Sequence, residues 1–157
     1  MRLIRRSVKG LLAGTCGTIA MGGFAFLARR MVEPEKPMGK THYESVVEWA
    51  SGLAAPEREI AVADRIRIGE LTHLGFGAFW GMIFSVINGD KTIKPLSNGA
   101  AWGTALWAVA FSGYMPALGI SKSLREMGNY ERLRTLGSHL VFATFTWVFL
   151  EAFRNRD

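Results

Sequence analysis

The chain has one cysteine among its 157 residues. Cys16 therefore has no internal partner, and a disulfide framework is excluded. Charge is also scarce, with Asp, Glu, Lys and Arg making up only 20% of the residues. Catalytic signatures are missing: there is no G-x-S-x-G, Walker loop or H-E-x-x-H, and no constellation of paired carboxylates. A non-enzymatic protein without a metal centre is expected. The 19 basic residues outnumber the 13 acidic ones, giving a formal net charge of +6. No basic groove interleaved with stacking aromatics accompanies that excess, so nucleic acid is not the expected partner. Instead Arg2, Arg5, Arg6 and Lys9 precede an apolar run, Arg29 and Arg30 follow it, and Arg154 and Arg156 come last. Such positions suit lipid phosphates and snorkelling side chains.

Four stretches hold no charged residue: Leu11 to Ala28, Leu71 to Asn88, Gly99 to Ile120 and Leu136 to Leu150. A helix rises about 1.5 Å per residue, so crossing a ~30 Å hydrocarbon core takes roughly 20 apolar residues. A soluble helix would carry a polar face every three or four residues. Between Gly99 and Ile120 the polar side chains are Thr104, Ser112 and Tyr114, and no helical face collects them. The expected fold is all-α: a four-helix transmembrane bundle in a single integral membrane domain, with spans at about 8–28, 70–88, 99–120 and 136–153. The first run differs from a secretory signal in its length, its glycine content and Phe26, which sits where a cleavage site would want a small residue. It is read as a retained span. Weighting the charges ahead of that span places both termini on the cytoplasmic side.

The halves repeat one another. The first span opens Gly10-x-x-x-Gly14-Thr15 and the third Gly99-x-x-x-Gly103-Thr104. The second carries His73-Leu74-x-Phe76-x-x-Phe79 and the fourth His139-Leu140-x-Phe142-x-x-Phe145. Two tandem helical hairpins related by an axis along the membrane normal are expected. Helices in lipid gain little from apolar burial and associate through close backbone approach. Gly10, Gly14 and Gly17, Gly77 and Gly81, and Gly99 and Gly103 are the expected packing notches. Tyr114-Met115-Pro116 should kink the third span, because proline removes a backbone bond.

Between the first two spans lies a long loop, 31–69. Pro34 and Pro37 give it an extended entry, and Thr41 N-caps a short amphipathic interfacial helix with Tyr43, Val46, Val47 and Ala50 on one face. Pro56, Glu57 and Glu59 suit the first turn of a second helix running into the next span. His73 and His139 fall at similar depth in their spans. Ionisable residues inside a membrane are costly and often functional. Two converging imidazoles would suit a haem or pigment, against the alternative of interfacial hydrogen bonds. Glu70 stands one turn before His73, and Arg67 or other Lys and Arg groups at the interface are its expected ion-pair partners. The fourth span has Leu136 at the matching position, which argues against a di-iron site.

The opening G-x-x-A-G-x-x-G-T-x-x-M (Gly10 to Met21), the His73 segment, the stretch from Trp107 through Pro116 to Gly119 and the final H-L-V-F resemble the YagU-type (DUF1440-like) small bacterial inner-membrane proteins. That resemblance implies a multi-pass bacterial inner-membrane protein without an established activity. The function expected first is an accessory or scaffold subunit that packs with itself or with other membrane protein subunits in the bilayer. A haem- or pigment-binding bundle using His73 and His139 is the alternative, and a small transporter or channel the third.

Overall fold

A computed structural model describes residues 1–32, 40–54, 60–88 and 95–154. Among these, every regular element is helical: α1 (Arg2–Val32), α2 (His42–Ala54), α3 (Val62–Asn88), α4 (Pro95–Val109), a π-helical turn (Ala110–Tyr114), α5 (Met115–Ala117) and α6 (Asn129–Arg154). Of the described helices, α1, α3 and α6, with 31, 27 and 26 residues, are long and apolar enough to cross a membrane. They rise roughly 46, 40 and 39 Å. The stretch expected as the third span is helical in consecutive pieces of 15, 5 and 3 residues. The expected helix start at Pro56, Glu57 and Glu59 lies outside the described residues.

Helix ends reach past the apolar runs. The last helix starts at Asn129 rather than near 136, so Glu131, Arg132 and Arg134 are helical. Likewise α3 starts at Val62 and carries Asp64, Arg65, Arg67 and Glu70 in its first turns. An apolar run marks the part of a helix suited to lipid and is blind to charged turns beyond it.

The packing surfaces are built from small residues. In α1 the buried positions are Gly10, Ala13, Gly14, Gly17 and Thr18, a single face at helical spacing. Large apolar side chains point outward instead: Leu12, Ile19 and Leu27 on α1, Leu71 and Phe79 on α3, and Val148 on α6 are all exposed. This inverts the arrangement of a water-soluble core and matches helices surrounded by lipid.

Antiparallel α1 and α3 touch backbone to backbone. A Cβ on Gly10 would lie 2.7 Å from the Gly81 carbonyl oxygen, and one on Gly14 would lie 2.9 Å from the Gly81 Cα. On its other flank α1 meets α6, with Gly17 against Thr146 and Phe142, Gly137 against the Phe24 ring, and the Tyr130 hydroxyl donating to the Ala28 carbonyl at 3.2 Å. Antiparallel α4 meets α6 where a Cβ on Gly103 would lie 2.6 Å from the His139 carbonyl oxygen. The order is thus α3, α1, α6, α4. Rings then join α4 back to α3, with centroids 5.9 Å apart for Trp80–Trp102 and 5.5 Å for Phe84–Trp102.

The bend ahead of Pro116 has a specific geometry. Gly113 leaves helical dihedrals, and the Met115 N–H bonds the Ala110 carbonyl in π register. In that register the Phe111 carbonyl would need the N–H of residue 116, which proline lacks. The Leu124 N–H supplies it from the following loop at 3.2 Å. Gly119, at φ 68, turns the chain out of α5, and the Ile120 N–H returns to the Met115 carbonyl at 2.9 Å. Arg132 anchors the same loop through the Leu124 and Met127 carbonyls at 2.8 and 3.0 Å.

Candidate functional site

Beyond Thr18 the glycine-mediated approach of α1 to α3 ends, while Phe24 and Ala28 still meet α6. A Cβ at Gly22 or Gly23 would meet nothing within 4 Å. At this end of the helices α2 lies against α3, and the space between α1, α2, α3, α4 and α6 is a cavity of about 770 Å³. Its size falls in the range of small-molecule sites.

The sequence holds α2 over this space. Thr41 and Glu44 form a reciprocal capping box: the Glu44 N–H donates to the Thr41 hydroxyl at 3.3 Å, and the Thr41 N–H to the Glu44 carboxylate at 3.1 Å. Arg65 of α3 then bonds Glu48 at 2.6 Å and pairs with Glu44 at 3.6 Å, while Lys40 pairs with Glu48. Gly69 lets the backbones come together, since a Cβ there would lie 3.1 Å from the Tyr43 ring and 3.3 Å from the Glu44 nitrogen. Burial pulls the Glu44 carboxyl upward, but the Thr41 hydrogen bonds and the Arg65 charge outweigh it and hold it below its usual value.

All three histidines of the chain line the cavity. His73 stacks on Tyr43 of α2, with centroids 4.8 Å apart and planes 11° from parallel. Phe111 makes T-shaped contacts with both His139 and His42, with centroids 5.9 and 5.3 Å apart. The π-turn and its Leu124 bond therefore position a ring against two imidazoles. The Nδ1 of His139 lies 2.8 Å from the Thr135 carbonyl. A carbonyl only accepts, so Nδ1 carries the proton and Nε2 keeps its lone pair. Thr135 is held in turn by the Trp107 indole N–H at 3.0 Å.

Two zones are distinguishable in the lining. Phe76, Trp80, Leu106 and Phe142 form an apolar, largely aromatic wall. Around the first turn of α2 the lining turns ionic, with Glu70 on α3 and Glu131 and Arg134 on α6. His42 feels both α6 charges: burial lowers its pKa most, Arg134 lowers it further, and Glu131 opposes them. Burial raises the Tyr43 phenol, against a Thr41 hydrogen bond, and the negative charges of Glu70 and Glu44 add to the rise. Among the described residues, Arg134, Glu70 and Glu131 form no ion pair through their side chains, so the expected Glu70–Arg67 pair is not formed.

The residues singled out from sequence thus fall in two places. His73 and His139 share the cavity. Gly10, Gly14, Gly17, Gly81 and Gly103 sit at helix contacts away from it, Gly77 lines its floor against Thr18, and Gly99 faces Ala143 at 3.8 Å. His42, Gly69 and Arg134 escaped sequence reasoning, although the Thr41-x-x-Glu44 box was a legible sign that His42 opens a helix. Among the described residues no group of three or more His, Cys, Asp or Glu side chains could hold a metal ion. In comparisons with known proteins, no family model, no curated protein and no solved structure matches the chain.

Proposed function

We propose that this chain is a non-enzymatic multi-pass membrane protein that binds a small amphipathic molecule in the cavity covered by α2. It would cross the bilayer four times, as two tandem hairpins, with α4, the π-turn and α5 forming the remaining span. The bacterial inner membrane, with cytoplasmic termini, is the setting that the YagU-type resemblance and the basic cluster Arg2, Arg5, Arg6 and Lys9 favour. The cavity then lies at the opposite face, near the headgroup level, with α2 on the surface.

One observation carries the reading: a space of about 770 Å³ with an aromatic wall and an ionic rim, inside a bundle whose other end closes on glycine. The accessory or scaffold role, and packing with itself or other subunits, draws no separate support from the glycine notches, which lie against the chain's own helices. Native mass spectrometry of protein extracted in mild detergent tests the proposal. A bound small molecule that survives extraction is expected, and bare protein from both native membranes and lipid-supplemented samples would refute it.

His139 supports a second reading. An imidazole whose Nδ1–H is fixed by a carbonyl would offer Nε2 to the metal of a haem or pigment, a group that could be held without three protein ligands. A haem or pigment held by His139 and His73 would colour the purified protein, and a colourless preparation after cofactor-replete expression would end this reading.

A further inference from the structure

Three imidazoles line one cavity with most of their hydrogen-bonding capacity unused. His42, His73 and His139 are all largely buried. Among the described residues the ring of His139 bonds the Thr135 carbonyl through Nδ1, and the rings of His42 and His73 make no hydrogen bond. Near neutral pH an imidazole is mostly uncharged, with one N–H donor and one acceptor nitrogen. In His139 the donor is committed to the backbone of its own helix, so Nε2, at the far end of the ring, only accepts. In His42 and His73 no protein partner fixes which nitrogen carries the proton.

We infer that the ligand of this cavity is an uncharged ring bearing a hydroxyl group, of the quinol or phenol class, whose O–H donates to Nε2 of His139. The inference rests on the cavity being the ligand site proposed above. A carbonyl, ether or carboxylate oxygen would set its lone pairs against that of Nε2. An ammonium would donate but not accept, and would leave the N–H groups of His42 and His73 unserved. A hydroxyl does both. Net charge on the ligand gains nothing, because the lining carries Arg29, Lys40 and Arg134 together with Glu70 and Glu131. Of these, Glu70 is exposed and Lys40 already pairs with Glu48. The remaining wall suits a planar ring with an apolar substituent. Phe76 lies 6.0 Å from Trp80 and 6.3 Å from Tyr114 between centroids, and all three line the space with Leu106 and Phe142. A volume of about 770 Å³ houses such a ring and its tail.

The test uses the full chain in nanodiscs under argon, with a decyl-substituted benzoquinol, the matching benzoquinone and the dimethyl ether of the quinol as probes. Native mass spectrometry reads their retention. Wild type is expected to hold the quinol over both the quinone and the ether by about fivefold, the worth of one neutral hydrogen bond. His139→Phe keeps a ring beside Phe111 without the acceptor, and should hold all three probes alike. A second measurement needs no variant: in nitrogen NMR of wild type, the His139 Nε2 resonance should shift when quinol is added and stay when quinone is added. Equal retention of the three probes by wild type, or an Nε2 resonance that the quinol does not move, would overturn the inference. Gly22→Leu separates it from the cavity reading. A native adduct that this substitution expels but that carries no hydroxyl, or a haem on His139, refutes the inference alone. No adduct or probe sensitive to Gly22→Leu refutes both.

Discussion

Adjacent glycines on α1 give the cavity a controlled perturbation. Gly22 lines the cavity and Gly23 does not, yet a Cβ at either position meets nothing within 4 Å. Replacing either by leucine therefore clashes with nothing at Cβ. Each change also relieves the helix of a glycine, worth up to about 1 kcal/mol in water, and that gain is common to both. What differs is where the new side chain goes. At position 22 its roughly four carbons occupy ligand space, and at about 0.3 kcal/mol per ligand atom the displaced contacts are worth roughly 1 kcal/mol, or about fivefold in affinity. The assay is the fraction of protein carrying a small-molecule adduct in native mass spectrometry, with thermal unfolding in detergent alongside. Gly22→Leu should lose most of the adduct and any ligand-dependent rise in melting temperature, while Gly23→Leu keeps both. Equal adduct in the two variants would mean that nothing binds where the cavity is.

Other outcomes follow from the same contacts. Gly14→Val should force α1 away from Gly81 and Ala78, at the ~1–3 kcal/mol typical of overpacking, and lower the melting temperature where Gly23→Val does not. An unchanged melting point would contradict the backbone contact. Pro116→Ala restores an N–H for the Phe111 carbonyl and releases the Leu124 amide, whose hydrogen exchange should quicken about fivefold for a bond worth ~1 kcal/mol; unaltered exchange would refute that pairing. Acid should loosen α2. The folded pKa of His42 lies below its ordinary 6.5, so below pH 6.5 the undocked state binds more protons and docking weakens as pH falls toward the folded value. Glu44 acts with the same sign lower down, holding α2 above its ordinary 4.5 and losing that contribution as pH falls through its lowered folded value. Hydrogen exchange across α2, corrected for intrinsic rate, should show both steps. His42→Gln should remove the upper one, and protection independent of pH would refute the account.

The long helices were legible because charge-free runs of this length have few uses outside lipid. Their ends were not. Glu131 and Arg134 looked like loop residues from the apolar run alone, yet they are helical and line the cavity, whereas Arg65 and Arg67 fall in the helix that was expected to run into the second span. The capping box at Thr41 and Glu44 is local and was readable. The approach of α2 to Gly69 is not, because it joins residues far apart in sequence through a missing side chain. The cavity could not be read at all. Seven helical elements line it, and no single element's periodicity encodes the distance between its neighbours. Repetition between the halves also misleads about register. By the His73–His139 match, Gly81 corresponds to Trp147, yet Gly10 meets Gly81 whereas Gly99 meets Ala143, one turn away. The second pair has slid relative to the first.

Close packing at one end and a cavity at the other share a cause in the distribution of small residues along α3. From Gly10 to Thr18 every buried residue of α1 is Gly, Ala or Thr, and the neighbours come in to backbone contact at Gly77 and Gly81. Past Thr18 the facing residues of α3 are His73 and Phe76, too large for that approach, and α2 enters to meet α3 at Gly69 instead. Two rigid helices locked together along one half of their length cannot stay in contact along the other when the side chains between them grow. The opening thus begins where α3 changes from Gly77 and Gly81 to His73 and Phe76, even though α1 still carries Gly22 and Gly23 there. Filling the lock at Gly14 should therefore disturb the cavity from a distance, whereas filling the cavity at Gly22 should leave the lock intact. Observing the reverse order of effects on melting and on ligand retention would break the link between the two ends.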